Sequence, residues 1–221
     1  VRHSSWVISD EEQIKFLETE FSKIDSIYIA DGHHRAAAGV RIYKKRQGAG
    51  QSGGLLSVLF AKHQVKILPY NRVLKNLNGN DKVGLLKKLS EVSIIKKTDN
   101  PVPEKKGVFC LYIDREWYRA EFKDNILKLG EPVDRLDAAL IQRYVLEPIF
   151  GITNPRTDKR IQYIGGIKGT AELERLVNEG AAACALSMFP TTVDELMAVS
   201  DSGKIMPPKS TWFEPKLRDA M

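Results

Sequence analysis

The apolar residues of this chain come in short runs, and the length of those runs decides which folds are open to it. The longest run, Ala181 to Phe189, is interrupted by Ser187. A membrane-spanning helix needs about 20 consecutive apolar residues, so the sequence predicts no membrane helix. Hydrophobic residues make up 43% of the 221 positions, which is enough for a packed core, and we therefore expect a globular protein.

Short apolar runs alternate only in part with segments of helical spacing. Spacing typical of a helix is clearest after Ser9, which forms a capping-box pattern with Glu12. The predicted helices are 10–24, 36–48, 81–89, 133–150, 170–178 and 192–201. The predicted strands are 26–30, 55–61, 65–70, 91–97, 108–113, 116–122, 161–164 and 182–189. This order predicts the α+β class, with mixed sheets and helices.

The segment from Thr98 to Gly107 is the clearest internal boundary, because Pro101 and Pro103 interrupt both kinds of pattern. It divides the sequence into a basic lobe, residues 1–106, and a second α/β lobe, residues 107–221. The two lobes are also compatible with one compact domain.

Positive charge is concentrated in one part of the sequence. The formal net charge is +6, and residues 32–80 carry nine basic residues and no acidic one. The nine are Arg35, Arg41, Lys44, Lys45, Arg46, Lys62, Lys66, Arg72 and Lys75. A local positive field of this kind attracts phosphate, nucleotides or nucleic acid. A solvated basic surface without any ligand has the same composition, so charge alone does not decide between them.

The most specific motif joins a predicted strand to a predicted helix, and it consists of Asp31, Gly32, His33, His34 and Arg35. The start of a helix binds anions through its free backbone amides and the positive end of its dipole. Gly32 lets the backbone approach a ligand, and Arg35 in the first turn can hold phosphate oxygens. Either histidine can donate to phosphate or transfer a proton, and Asp31 can cap the helix or orient a histidine.

Two further segments are candidates for phosphate contacts. Gly165 to Thr170, which contains Lys168, follows a predicted strand but lacks the spacing of a Walker loop, and a tight turn explains its glycines equally well. Pro207 to Phe213 offers Lys209 and Ser210 beside two aromatic residues, and a packed tail is the alternative. The four histidines lack metal-ligand spacing, so we expect no metal held by the protein.

Four separated motifs resemble, in the expected order, the C-terminal part of the domain of unknown function 1015 family. They are Tyr28–Arg35, Ile67–Val73, Ile164–Gly166 and Met206–Leu217. The family consists of uncharacterised bacterial and archaeal proteins, and the resemblance covers essentially the whole chain. Because its members are longer, the resemblance implies that an N-terminal part is absent here.

Residues 27–46 are also similar to the signature of the ParB and sulfiredoxin superfamily, which implies a ParB/sulfiredoxin-like first lobe. That superfamily includes a free-serine kinase, CTP-switching partition proteins and sulfinic-acid reductases. The resemblance implies that Gly32, His33, His34 and Arg35 contact nucleotide phosphates and that Asp31 lies beside the reacting group. It makes Asp31, His33 and His34 the candidate catalytic residues, with ADP, ATP or CTP and Mg²⁺ as the cofactor. The reductases need a cysteine in this turn, and none is present.

Three classes of function follow. The first is a nucleotide-dependent phosphotransferase for a small metabolite such as an amino acid, with Lys168, Lys209 and Ser210 as additional phosphate contacts. The second is a nucleotide switch or nucleic-acid-binding protein, which the basic stretch favours and the lack of a helix-turn-helix opposes. The third is a metabolite-binding protein without turnover.

The two cysteines indicate the compartment. Cys110 and Cys184 lie in apolar runs, which predicts buried free thiols and a cytoplasmic protein. The sequence leaves the oligomeric state open.

Overall fold

The computed structural model describes residues 4–128 and 130–214. The chain divides into an N-terminal unit, Val1–Leu56, and a C-terminal unit, Ser57–Met221. The boundary predicted between residues 106 and 107 lies inside the C-terminal unit, between two strands of one sheet.

The described part of the N-terminal unit consists of two helices and a short turn. The helices are α1, Glu11–Phe21, and α2, His33–Arg46, and a 3₁₀ turn follows at Gly50–Gly53. The helix predicted after residue 9 is confirmed, but Asp10 caps it instead of Ser9, because Asp10 Oδ1 accepts a hydrogen bond of 2.9 Å from the Gln13 amide. Neither helix contains a buried residue.

The C-terminal unit contains two antiparallel sheets. One has the strand order β3-β5-β4-β7-β2-β6, and the other pairs β1 with β8. The strands are β1 Lys66–Leu68, β2 Tyr70–Leu74, β3 Ser93–Thr98, β4 Val108–Ile113, β5 Glu116–Phe122, β6 Ile161–Gly165, β7 Cys184–Met188 and β8 Trp212–Glu214. The helices are α3 Lys82–Val92, α4 Asp124–Leu127, α5 Asp137–Ile141, α6 Ala171–Asn178 and α7 Val193–Asp201. The α+β class is confirmed, and every pairing in the two sheets is antiparallel.

The central strands β4 and β7 are buried along their whole length, which explains their continuous apolar runs. Because side chains alternate along a strand, β4 contributes to a core on each face of the sheet. Phe109 and Leu111 belong to one hydrophobic cluster, whereas Cys110 and Tyr112 belong to the other. The sheet therefore has no solvent-exposed face at its centre.

Three sequence predictions about elements are wrong. The segments 26–30 and 55–61 are not strands, because no described strand pairs with them and an isolated strand has no hydrogen-bond ladder. The helix predicted over 133–150 is divided into a 3₁₀ turn, Pro132–Arg135, then α5, then a π-helical turn, Gln142–Leu146. Apolar residues of this segment are buried on several sides, so packing overrides the regular spacing.

The two cysteines are confirmed as buried free thiols. Burial raises the pKa of Cys110 to about 11 and the pKa of Cys184 to about 12, so both remain thiols at neutral pH. Across the described ranges, no helix has the length and apolar character needed to cross a bilayer.

Candidate functional site

The Asp31–Arg35 turn forms the start of helix α2. Gly32 is the N-cap and has φ +88°, in the left-handed region that favours glycine. Gly32 has no side chain to cap this end of the helix, and the first turn contains no acidic residue. The Oδ1 of Asp31 accepts a hydrogen bond of 2.8 Å from the amide of Gly32. The positive end of the dipole of this 14-residue helix is directed at the turn.

Arg35 folds back over the turn. A Cβ added to Gly32 would lie 3.4 Å from Arg35 Nε and 3.6 Å from its Nη2, so glycine leaves room for the guanidinium. His33, His34 and Arg35 are exposed. Successive helical residues point in different directions, so the two histidines face different sides of α2. The turn brings a guanidinium, two imidazoles and a helix terminus to one exposed place.

The basic stretch is not one uniform surface. Five of its nine cations, from Arg35 to Arg46, lie on α2 in the N-terminal unit. The other four lie in the C-terminal unit, where Lys62 forms an ion pair with Asp194 and Arg72 is buried. The charge pattern of the sequence therefore overstates the number of cations that are open to a polyanion.

Packing explains two of the three glycines of the Gly165–Thr170 segment. A Cβ on Gly165 would lie 2.5 Å from the ring of Trp212, and one on Gly166 would lie 2.7 Å from Pro69. Lys168 is exposed, and two glutamates occupy the first turn of the following helix, α6. These carboxylates oppose an anion at that helix start. A phosphate contact of Lys168 stays a prediction.

The Pro207–Phe213 segment is packed against strand β2. The Lys209 ammonium lies 5.2 Å from the centre of the Tyr70 ring, and Lys209 adopts φ +57°. Ser210 is buried, and its hydroxyl donates a hydrogen bond of 2.7 Å to the carbonyl of Pro207. Phosphate contacts of Lys209 and Ser210 also stay predictions, since both side chains already have a structural partner.

Three of the four family motifs come together in the C-terminal unit. Strands β2 and β6 pair Tyr70 with Gly165 and Arg72 with Tyr163. Strand β8, in the fourth motif, pairs with β1. Residues 215–217 of that motif lie outside the described residues. The motifs are thus distant in sequence but adjacent in this unit.

A cavity of about 280 Å³ opens beside these motifs, and Arg72 forms part of its wall. The other lining residues are Ala138, Gln142, Leu146, Asn154, Pro155, Arg156, Tyr163, Pro207 and Pro208. The Arg72 guanidinium lies 5.5 Å from the centre of the Tyr163 ring, and its Nη1 donates a hydrogen bond of 2.6 Å to the carbonyl of Tyr70. Burial lowers the pKa of Arg72 to about 10, so the side chain remains a cation at neutral pH.

Residues 1–139 match the model of a family described as protein of unknown function, DUF1015. The chain belongs to this family. The match includes the turn of α2 and strand β2, so both Arg35 and Arg72 lie in the part of the chain that carries the DUF1015 signature. No curated protein matches the chain in sequence.

Solved structures with a related arrangement are distant in sequence. Free serine kinase in complex with AMP is 16% identical, with a TM-score of 0.47, covering 94% of this chain and 81% of that chain. A conserved hypothetical protein from Pyrococcus furiosus is also 16% identical, with a TM-score of 0.47, covering 94% of this chain and 85% of that chain. At this similarity, the function of this DUF1015 chain has to be argued from its own residues.

In the sequence, Arg72 is distinguished only as one of nine cations and as part of a family motif. One signal was present, since Arg72 stands in an apolar strand directly before Val73 and Leu74. A charged residue in such a strand is almost never fully buried unless it has a partner. Within residues 4–128 and 130–214, no group of three or more His, Cys, Asp or Glu residues is arranged to hold a metal ion.

Proposed function

We propose that this protein is a nucleotide-dependent phosphotransferase that acts on a small metabolite. The observation that carries the proposal is the start of α2, where a left-handed glycine, a first turn without acidic residues and a folded-back arginine coincide. Phosphoryl transfer depends on positioning and on positive charge around the transferred oxygens, more than on covalent chemistry by the protein. This turn provides both requirements in five consecutive residues.

Each residue of the turn has a proposed role. The first-turn amides of α2 and the Arg35 guanidinium hold phosphate oxygens, because both are donors at a helix start whose first turn contains no acidic side chain. His33 and His34 donate to the phosphates or transfer protons. Asp31 lies beside the reacting group, and Mg²⁺ accompanies the nucleotide. Lys168, Lys209 and Ser210 are the proposed additional phosphate contacts.

Thermal unfolding with added nucleotide tests the site. We expect ADP, ATP or CTP with Mg²⁺ to raise the Tm of the wild type, because a ligand at 100 times its Kd adds about 2.7 kcal/mol of stability. Arg35→Ala should lose most of this increase. Arg41→Ala is the matched control, since it removes the same exposed side chain from the same helix away from its first turn. An equal nucleotide shift in both variants would show that the turn is not the nucleotide site.

A turnover assay separates the phosphotransferase from its alternatives. Nucleotide consumption should depend on an added acceptor from a panel of amino acids and sugars, and Arg35→Ala should abolish it. Nucleotide binding without any acceptor-dependent turnover would favour a metabolite-binding protein. Binding of a short DNA duplex that weakens steeply with salt would favour the nucleic-acid alternative.

A further inference from the structure

Arg72 is a buried cation with an unsatisfied hydrogen-bond donor. It is 4% exposed and lies within the six-stranded sheet. In the part of the chain that the structure describes, Nη1 makes its hydrogen bond to Tyr70 and no carboxylate forms an ion pair with it. Its Nε is buried and has no acceptor. Asp137 acts on the Arg72 charge electrostatically but forms no ion pair with it among the described residues, so we expect a closer anionic partner for this buried cation.

Other arginines of the same chain show what this edge binds. Three of them place a carboxylate on Nε and Nη2, and the pairs are Arg119 with Glu104, Arg160 with Asp158 and Arg175 with Glu172. The Arg175 distances to the two Glu172 oxygens are 2.8 and 3.0 Å. Arg72 lines the cavity, and its buried Nε has no acceptor among the described residues.

We propose that the cavity binds a small polar carboxylate, whose carboxylate group lies against the guanidinium of Arg72. The volume of about 280 Å³ lies just below the roughly 300–1,000 Å³ of pockets for drug-sized ligands, so it suits a short metabolite. Arg156 adds a second positive charge to the wall, and no carboxylate of the protein lines the cavity.

Two side-chain amides supply groups for the remainder of the ligand. Gln142 Nε2 donates to the carbonyl of Ile152 at 2.7 Å, which leaves its Oε1 as an acceptor. Asn154 Oδ1 accepts from the Arg156 amide at 3.1 Å, which leaves its Nδ2 as a donor. Gln142 is also the first residue of the π-helical turn, and such turns are frequent at functional sites. A hydroxyl or amide group on the ligand would match this wall.

The cavity favours a carboxylate over a phosphate. A planar fork binds the two oxygens of a carboxylate in parallel, as Arg175 binds the two oxygens of Glu172. A phosphate near neutral pH carries about −1.5 to −2 charges and at least three acceptor oxygens, which one guanidinium does not satisfy. Phosphate binding is therefore an alternative outcome of the test.

The proposal rests only on residues of the C-terminal unit, so it stands or fails separately from nucleotide binding at the α2 turn. The direct readout is the NMR signal of the Arg72 Nε–H group, followed while acetate, glycolate, succinate or inorganic phosphate is added to the wild type. We expect glycolate or succinate to move this signal to saturation. The signals of Arg119, Arg160 and Arg175 should stay in place, because their forks already hold carboxylates.

Variants of Arg72 and Arg156 test the same site through the affinity of the protein for a carboxylate. Arg72→Lys keeps the charge but removes the fork, and we expect at least about a tenfold loss of carboxylate affinity. A second variant keeps the test valid if Arg72→Lys does not fold. Arg156→Ala should weaken carboxylate binding several-fold. Arg143→Ala removes an exposed arginine outside the cavity and should leave the binding unchanged. An Arg72 signal that stays fixed with every carboxylate, or one that moves with phosphate alone, overturns the proposal.

Discussion

Arg35 and Arg72 both lie in motifs of the DUF1015 family, but the two units place them in opposite surroundings. Arg35 is exposed on a helix without any buried residue, and its proposed partners are its immediate neighbours in sequence. Arg72 is buried in a sheet, and the cavity that it lines takes residues from segments up to 136 positions away, such as Pro208. A site of consecutive residues is visible as a motif, whereas an assembled site is visible only after folding.

The same contrast extends to stability. The described hydrophobic clusters consist entirely of residues of the C-terminal unit, whereas α1 and α2 bury none. Buried apolar area is the main favourable contribution to folding. We therefore infer that the C-terminal unit determines the cooperative unfolding transition, and that the site on α2 lies on the less stable part of the chain.

The largest effect is expected from a core substitution. Leu111 is 1% exposed on the central strand β4, so Leu111→Ala should lower the free energy of unfolding by about 2–5 kcal/mol. Leu17→Ala on α1 removes the same side chain where it is 37% exposed, and it should cost less than about 1 kcal/mol. Urea unfolding followed by tryptophan fluorescence measures both, since Trp117 lies in the core. Equal losses would contradict the contrast between the units.

The second effect concerns a buried carboxyl group and its dependence on pH. Burial raises the pKa of Asp137 from 3.8 to about 7, although the carboxylate accepts two hydrogen bonds from the Gly107 amide. The folded state therefore holds this proton more tightly than the unfolded state does. Its contribution to stability is complete below about pH 4 and declines as the pH rises to about 7.

Asp137→Asn removes this titration. At pH 8 the variant should be more stable than the wild type by roughly 2–3 kcal/mol, because the amide has no charge to bury and keeps an oxygen acceptor. At pH 4 the two proteins should be nearly equal. Asp25→Asn, which alters an exposed carboxylate of the N-terminal unit, is the control. The measurement is the free energy of unfolding at both pH values, and an identical difference at pH 4 and pH 8 would show that Asp137 does not titrate in this range.

Local signals in the sequence predicted the elements that depend on local contacts. The strands predicted at 108–113 and 116–122 are present and are joined by a hairpin at Asp114 and Arg115. The helix predicted at 192–201 is present and begins with a capping box of Thr192 and Glu195. The failures depend on distant contacts. Segment 26–30 has the composition of a strand but pairs with no described strand, and segment 133–150 has the period of one helix but packs on several sides. Similarly, the Asp31–Arg35 turn was visible as a motif, while the burial of Arg72 required the cross-strand neighbours that β6 and β7 provide.

The smallest effect is expected from removing one helix cap in each unit. Asp81 caps α3 through the Gly84 amide at 2.7 Å, as Asp10 caps α1 through the Gln13 amide, but α3 buries Leu85 and Leu89. Asp81→Ala should therefore lower the free energy of unfolding by about 1 kcal/mol, because losing the cap strains a helix that is part of the core. Asp81→Asn keeps a capping oxygen and should restore most of that loss.

Asp10→Ala should leave the unfolding transition reported by Trp117 unchanged and only accelerate hydrogen exchange in α1, because that helix contains no buried residue. A loss of stability from Asp10→Ala as large as that from Asp81→Ala would mean that the two units unfold as one cooperative body.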